Sequence, residues 1–308
     1  MIEVRNLTKD YGARRAIDSL NFSVNKGEVV GFLGPNGAGK STTMKIITGY
    51  MAPTSGSVSV AGYDVFENPI EVKKRIGFLP ETPPLYMDMK VDEYLRYVAK
   101  LKGVPRAKLK SAVDDALAKT HITDVSHRLI QNLSKGYKQR VGIAQAIVSM
   151  PEILILDEPT VGLDPIQVAE IRTMISELRG QHTVILSTHI LSEVQATCER
   201  IIIIHRGRIV AEDSLQKLNE RMAGGKKLFV KVKHPTPKLK EEISAINGVR
   251  SVEASDGGIL EITTDSDETV QENIATKIAT TGAGLIEMRS QEVSLEDIFL
   301  KVTREEMV

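Results

Sequence analysis

The segment GPNGAGKS, residues 34–41, fits the pattern G-x-x-x-x-G-K-[ST]. Its glycines let consecutive backbone N–H groups point at phosphate oxygens, and a helix that begins there adds a positive dipole. Lys40 would reach the β- and γ-phosphates of a nucleotide, and the Ser41 hydroxyl would ligate Mg²⁺. A glycine-rich turn with a chance Lys-Ser pair is the alternative. The strand predicted at Glu28–Gly34 and the helix predicted from Ser41 favour the phosphate site.

Two carboxylates follow another apolar run, in the segment ILILDEP. The run predicts a buried strand, and carboxylates at the carboxyl end of a strand lie at the rim of an α/β sheet, where ligands bind. Beside the phosphate segment, Asp157 is predicted to hold the Mg²⁺ shell and Glu158 to orient or polarise an attacking water. Without that segment, two solvated acids at a strand end would be the better interpretation.

Short apolar runs alternate with helix-like segments over residues 1–220, which predicts an α/β domain with a largely parallel sheet. Mainly helical spacing predicts a helical subdomain at about residues 88–150. Paired glycines and charges predict a linker at residues 221–227. Residues 228–308 follow the order strand, helix, strand, strand, helix, strand, helix, with a turn at Asp256–Gly258. That order predicts a small ferredoxin-like α+β domain.

Composition limits the function classes. The 308 residues include forty Lys and Arg and forty Asp and Glu, for a formal net charge of zero. The broad attraction of nucleic-acid binders and polybasic membrane binders is therefore missing, and we expect no nucleic-acid partner. Cys198 is the single cysteine, and the start MIEVRNLTKD lacks a signal-peptide pattern, so we expect a cytoplasmic protein. No apolar run approaches the roughly 18 residues of a membrane span.

In motif order, about the first 220 residues resemble the ATP-binding cassette (ABC) ATPases. The resemblance implies a P-loop fold with a mixed-sheet core and a helical subdomain. It implies that Tyr11 stacks on adenine, that Asp164 in GLDP forms the D-loop, and that His189 after HTVILST senses the γ-phosphate. Without the resemblance, Tyr11 would be a surface or core tyrosine and His189 a structural histidine. The residues it places on ATP in the phosphate segment are Gly34, Asn36, Gly37, Ala38, Gly39, Lys40, Ser41 and Thr42.

LSKGYKQR, residues 133–140, resembles the family's signature segment, usually close to LSGGQ. The resemblance places Ser134, Lys135, Gly136 and Tyr137 at a helix start that contacts the γ-phosphate bound by another protomer. It implies a head-to-tail homodimer with two ATP molecules at its interface. Lys135 and Tyr137 replace the usual Gly and Gln. Lys135 either adds charge near the phosphates or points to water, and the sequence leaves both possibilities open.

Glu81 stands where the family usually has Gln, and we predict that it ligates Mg²⁺ and senses coupling. By resemblance, the segment after it receives a helix of a separate transmembrane permease, at the cytoplasmic face of the membrane. Leu85, Tyr86, Met87 and Met89 suit such a contact, with core packing as an equal alternative. The resemblance favours export of an unidentified substrate; the alternatives are an ABC ATPase acting on DNA or the ribosome, and a small-molecule kinase.

The C-terminal domain shows no catalytic constellation. Ser294 and Asp297 have capping-box spacing ahead of an apolar helical face. That face is predicted either to pack within the domain or to serve dimerisation or regulation.

Overall fold

A computed structural model describes residues 1–214, 217, 226–234, 236–255, 258–264 and 268–291. The chain divides into two compact units, Met1–Asp213 and Ser214–Val308. Most of the predicted linker, the 256–257 part of the predicted turn, and the predicted helix with Ser294 and Asp297 lie outside the described residues. The predicted domain boundary at residue 220 and the subdomain at residues 88–150 stay predictions.

The first unit contains two sheets. An antiparallel sheet has the order β2-β1-β4-β5, and a six-stranded sheet has the order β10-β9-β3-β8-β7-β6. The strands are β1 Ile2–Tyr11, β2 Arg14–Val24, β3 Val29–Leu33, β4 Ser55–Val60, β5 Tyr63–Asp64, β6 Ile76–Leu79, β7 Ile153–Asp157, β8 Thr183–Thr188, β9 Arg200–His205 and β10 Arg208–Ser214. Every residue of β3, β7 and β8 is buried, which is typical of parallel strands covered on both faces.

The parallel pairs of the larger sheet are β9 with β3, β3 with β8, β8 with β7 and β7 with β6. Their carboxyl ends therefore meet at one edge. The strands predicted at Glu28–Gly34, Glu152–Glu158, His182–Thr188 and Arg200–His205 are confirmed as β3, β7, β8 and β9. The sheet order places the ends of β7 and β8 beside the end of β3, where ligands bind in open α/β sheets.

The helices of this unit are α1 Lys40–Ile47, α2 Pro69–Arg75, α3 Val91–Leu101, α4 Leu109–Lys119, α5 Lys135–Ile147, α6 Pro165–Glu177 and α7 Leu191–Thr197. Helix α1 contacts strands of both sheets, and its buried Met44, Ile46 and Ile47 join the hydrophobic core between them. Helices α3, α4 and α5 follow β6 in the chain and contact one another. None of the helices within the described residues is long and apolar enough to cross a bilayer.

The second unit has one antiparallel sheet in the order β12-β13-β11-β14. Its elements are β11 Lys226–Val232, α8 Pro237–Ser244, β12 Val249–Ser255, β13 Ile259–Thr264, α9 Glu268–Thr280 and β14 Leu285–Gln291. Residues of β11 and β13 that alternate in sequence, such as Leu228, Val230, Leu260 and Ile262, share a core with Leu239 and Ile274 of the helices. The predicted ferredoxin-like topology is confirmed in this part of the chain.

Candidate functional site: a nucleotide cleft at the carboxyl edge of the parallel sheet

A cleft of about 510 Å³ opens where β3, β7 and β8 end. It brings together most of the residues that the sequence analysis assigned to one nucleotide site. The predicted residues that line it are Tyr11, Asn36, Gly37, Gly39, Lys40, Ser41, Thr42, Glu81, Glu158 and His189. Tyr11 is 45% exposed, which excludes its alternative as a core side chain but not as a surface one, and Lys9 Nζ lies 5.5 Å from its ring centroid.

The phosphate segment is held against neighbouring backbone. Gly39 has φ +111°, and a Cβ on it would lie 2.8 Å from the carbonyl oxygen of Ala16. A Cβ on Gly34 would lie 2.4 Å from the carbonyl oxygen of Ile204. Only glycine fits these positions without displacing the loop. Gly34 and Ala38 are buried and do not line the cleft. Helix α1 begins at Lys40 and directs its N-terminus to the cleft.

Lys40 connects the phosphate segment to the end of β7. Its Nζ donates to the carbonyl oxygens of Gly34, at 2.8 Å, and Pro35, at 3.2 Å. The same nitrogen lies 3.2 Å from Glu158 Oε1, and both side chains are nearly buried. A buried charge of this kind needs a charged partner and further hydrogen bonds, and Lys40 has both.

Glu158 is held from two sides. Its Oε2 accepts a hydrogen bond from His189 Nδ1 at 2.8 Å, while Oε1 faces Lys40. The backbone of Glu158 has φ +51°, a conformation that costs a non-glycine residue energy and is concentrated at functional sites. Its N–H donates to the carbonyl oxygen of Ser187 at 2.8 Å, which fixes the turn to β8. The carboxylate is therefore aimed into the cleft with a defined orientation.

Asp157 lies beneath the cleft and is 1% exposed. Its Oδ1 accepts from Ser187 Oγ at 2.8 Å. Burial raises the pKa of Asp157 above its ordinary value, and the charges of Glu158 and Glu81 raise this pKa further. Hydrogen bonds from Ser187 and Ser41 act in the opposite direction and lower it. The charges of Glu158 and Glu81 thus act against ionisation of Asp157, whose carboxyl also accepts a hydrogen bond from the Ser41 side chain.

This donor set fits Mg²⁺. Magnesium uses one or two carboxylates together with hydroxyl, water and phosphate oxygens, rather than a cage of protein ligands. Accordingly, the described part of the chain has no cluster of three His, Cys, Asp or Glu side chains able to hold a metal by themselves. Asp157, Glu81 and Ser41 provide oxygens only. A divalent cation among them would offset the burial that raises the pKa of Asp157 and the neighbouring carboxylate charges that add to that rise.

The signature and D-loop residues form a second group that does not line the cleft. Ser134 caps α5, its Oγ accepting from Tyr137 N–H, and Asp164 caps α6, its Oδ1 accepting from Gln167 N–H at 2.9 Å. A Cβ on Gly136 would lie 2.7 Å from the Gln167 side chain, so the first turns of the two helices are in contact. Two helix N-termini therefore meet at one surface.

Both departures from the usual signature have contacts. Lys135 Nζ lies 2.0 Å from the position that a Cβ on Gly162 would take, so the lysine extends along the D-loop of its own chain. Tyr137 OH donates to Asp124 Oδ2 at 3.1 Å, and the Arg140 guanidinium lies 5.6 Å from its ring centroid. Tyr137 thus joins α5 to the segment before it, and Lys135 joins the signature to the D-loop.

Sequence reasoning missed Arg14, Ala16 and Val161, which also line the cleft. Arg14 lies near the phosphate segment, since a Cβ on Gly37 would lie 3.8 Å from Arg14 Nη2. Arg14 follows Tyr11 by three residues and begins β2, and this proximity to a predicted ATP contact could have indicated its place in the cleft.

A second cleft, of about 570 Å³, lies beside α2 and α3, and we call it the tyrosine groove. Its aromatic wall is Tyr86, Tyr94 and Tyr97, with ring centroids 6.0 Å apart for the first two and 5.7 Å for Tyr86 and Tyr97. The remaining lining residues are Ile70, Lys73, Lys74, Pro84, Val98, Leu101, Lys102, Gly103 and Gln145. Tyr86 and Met87 are about half exposed, which disfavours the core alternative for them. The predicted Leu85, Met87 and Met89 do not line the groove itself.

A P-loop beside a carboxylate pair, with a separate signature-like helix start, defines an ATPase of the ATP-binding cassette class. Comparisons with known proteins agree. The family described as "ABC transporter" matches residues 17–161, and the family described as "ATP-binding protein DrrA1-3-like, C-terminal domain" matches residues 214–303.

The chain is 40% identical to the bacitracin transport ATP-binding protein BcrA of Bacillus licheniformis over 226 residues, which cover 72% of this chain and 73% of that protein. It is 31% identical to the linearmycin resistance ATP-binding protein LnrL of Bacillus subtilis over 308 residues, 98% of each chain. A dimeric ATP-binding cassette structure in a post-hydrolysis state with ADP and Pi is 26% identical, with a TM-score of 0.64 over 70% of this chain and 99% of that one. The chain therefore belongs to the family of ABC transporter ATP-binding proteins, and it is an ATPase subunit.

Proposed function

We propose that this chain forms a head-to-tail homodimer that binds and hydrolyses two ATP molecules with Mg²⁺, and that dimer closure powers export through separate transmembrane subunits. The observation that carries the proposal is the Glu158 carboxylate held between Lys40 and His189 in the cleft. Bacitracin and linearmycin occur in the names of relatives. On that basis the proposed substrates are antimicrobial peptides or amphiphilic drugs.

The chemistry assigned to the cleft is attack of water on the γ-phosphorus, which breaks the bond to the β–γ bridging oxygen so that ADP leaves and inorganic phosphate forms. Lys40 and Arg14 would attract the phosphates, and Glu158 Oε2 would accept a proton from the water while His189 keeps the carboxylate aligned. Tyr11 would stack on the adenine. Ser41, Asp157 and Glu81 would hold Mg²⁺, which neutralises charge that develops on the phosphates.

The homodimer is supported by the separation of two groups of residues. The capped starts of α5 and α6 bring the potential donors Ser134, Lys135 and Gly136, with Asp164 beside them, to a surface that is not part of the cleft of the same chain. A γ-phosphate needs such donors, and a second copy could provide them. The related cassette of known structure is dimeric.

The tyrosine groove is the proposed docking site for a helix of the transmembrane subunit. Leu101 and Ile70 are each 69% exposed at the groove, which is unusual for large apolar side chains. Lys73 and Lys74 lie at the same groove, so the docking helix would carry apolar residues and an acidic end. The chain would then lie at the cytoplasmic face of the membrane. Relatives give no support to a DNA-acting or ribosome-acting role.

Glu158→Gln in the full chain tests the catalytic part. Gln keeps the size of the side chain but cannot take a proton, so ATP hydrolysis should fall by at least about 100-fold while ATP binding persists. Sedimentation with ATP should show a stable dimer. Glu152→Gln is the matched control and should retain activity, because Glu152 is exposed and directly precedes the same strand. Full hydrolysis by Glu158→Gln would contradict the proposal.

The transport part is tested by co-purification. A tagged chain, extracted from membranes in mild detergent, should carry a multi-span membrane protein with it. Recovery of ribosomes or DNA-bound complexes in its place would contradict the transport assignment.

A further inference from the structure

Glu193 is a buried carboxylate outside the cleft. It lies in the first turn of α7 and is 1% exposed. Its Oε1 accepts a hydrogen bond from Thr160 Oγ1, and its Oε2 accepts one from Thr188 Oγ1 at 2.7 Å. Burying a carboxylate costs free energy unless both oxygens are well paired, and here each oxygen has a hydroxyl donor.

The two hydroxyl groups belong to the two loops that carry the catalytic pair. Thr160 lies two residues after Glu158, in the turn where Val161 N–H donates to the Glu158 carbonyl oxygen at 3.2 Å. Thr188 ends β8 and directly precedes His189, and its Oγ1 also accepts from Ile190 N–H at 3.1 Å. A single carboxylate thus joins the turn after Glu158 to the backbone on both sides of His189.

Helix α7 gives Glu193 a fixed base. A Cβ on Gly31 would lie 2.3 Å from Val194 Cγ1, so the helix packs directly on the backbone of β3, the strand that leads into the phosphate segment. Thr197 Oγ1 donates to the Glu193 carbonyl oxygen at 2.7 Å and strengthens the same short helix. The carboxylate is therefore positioned relative to β3 and holds the ends of β7 and β8 from there.

We propose that Glu193 is a positioning residue for hydrolysis: it sets the separation of Glu158 and His189 through the hydroxyl groups of Thr160 and Thr188. The inference rests on the proposed function of Glu158. Without Glu193, both hydroxyls lose a buried acceptor and the two loops lose their shared attachment. A shift of about 1 Å in a catalytic group can reduce a rate by about 100-fold.

The test compares Glu193→Ala with Glu193→Gln in the full chain. In Glu193→Ala, kcat for ATP hydrolysis should fall by about 10- to 100-fold while KM for ATP changes by less than about threefold, because the cleft that binds ATP is intact. In Glu193→Gln, the amide can accept from one threonine and donate to the Thr160 hydroxyl, so most of kcat should return. Thr160→Val and Thr188→Val should each lower kcat.

Two further measurements separate positioning from a general loss of structure. Adding Glu193→Ala to His189→Ala should cause little additional loss, since both changes act on the same carboxylate. Glu199→Ala removes an exposed carboxylate two residues after α7 ends and serves as the control for stability and activity. The thermal unfolding midpoint is recorded for every variant.

Wild-type kcat in Glu193→Ala would overturn the inference, as would a Glu193→Gln variant that folds normally but is as slow as Glu193→Ala. Either result leaves the proposed function standing if Glu158→Gln is inactive. If Glu158→Gln hydrolyses ATP normally, the proposed function itself fails.

Discussion

Lys135 Nζ lies beside Gly162, 2.0 Å from the position that a Cβ on Gly162 would take. The lysine therefore fills the space that a side chain at residue 162 would need. Lys135 is the first residue of α5, in the signature, and Gly162 lies in the D-loop. Gly162 has φ +67°, which also favours glycine. The lysine therefore adds a positive charge where the N-termini of α5 and α6 meet.

Lys135→Ala should weaken ATP-driven dimer formation. An exposed pair of opposite charges contributes about 0.2–1 kcal/mol. The ATP concentration for half-maximal dimer should therefore rise by up to about fivefold. Analytical ultracentrifugation across an ATP titration measures this. Lys138→Ala, on the same helix with its Nζ on the Gln131 carbonyl oxygen, is the matched control. Equal behaviour of the two variants would show that Lys135 does not act on the phosphates.

Asp157→Asn should make the chain more stable and less active. Because burial raises the pKa of Asp157 in the folded chain, the folded state binds this proton more tightly than the unfolded state. The protonated Asp157 carboxyl contributes to the free energy of unfolding at low pH. That contribution falls as pH rises from the pKa of an ordinary aspartate through the raised pKa of Asp157, and it is absent at neutral pH. Removing such a group commonly adds about 0.5–2 kcal/mol, or a few degrees in Tm.

The measurement is Tm against pH for Asp157→Asn and wild type, with Asp115→Asn as an exposed control. The stabilisation should be present at pH 7 and shrink in acid, where wild-type Asp157 is protonated. Mg²⁺-dependent ATP hydrolysis should be lost at every pH. A lower Tm at pH 7 than wild type would contradict the assigned cost of this buried carboxylate.

Cys198 should be unreactive in the folded chain. Burial raises the pKa of its thiol to about 12, and the Sγ lies against β3, 3.2 Å from where a Cβ on Gly31 would be. The rate of thiol labelling at pH 8 should therefore be at least about 1,000-fold lower than for a free cysteine. Labelling should require α7 to open first. Because it is the single cysteine of the chain, one labelling rate is observed. Rapid labelling without unfolding would contradict this packing.

Leu101→Asp should disrupt the proposed docking of the transmembrane subunit at the tyrosine groove. A carboxylate placed in an apolar contact costs several kcal/mol, so recovery of the membrane partner in co-purification should fall by at least about tenfold. ATP hydrolysis by the isolated chain should be unchanged. Met150→Asp, at another exposed apolar position, is the control. Retained co-purification with Leu101→Asp would exclude the groove as the docking site.

Local patterns predicted much of the fold and of the cleft. The phosphate segment, the strand ending at Asp157 and the strand before His189 each have a strong signal within a few residues. The meeting of Glu158 and His189 follows from parallel pairing of β7 with β8, a neighbour relation that apolar runs alone do not specify.

Contacts between distant segments could not be predicted in this way. Three contacts depend on how separate segments of the chain pack. They are Lys135 against Gly162, Arg14 near Gly37, and Glu193 between Thr160 and Thr188. The sequence left Lys135 either near the phosphates or in water, and no motif singled out Glu193. The structure shows instead that Glu193 is buried and that Lys135 lies along the D-loop.

In the proposed homodimer, each ATP site is completed by a second copy of the chain. Lys40→Ala removes the proposed phosphate contact, and Ser134→Arg blocks the proposed signature contact. Each variant alone should be nearly inactive, because both sites of its homodimer would be damaged. In an equal mixture, half of the dimers are mixed and each has one intact site. Activity should therefore recover to about a quarter of wild type in a head-to-tail dimer. No recovery in a mixture shown to exchange subunits would contradict the account.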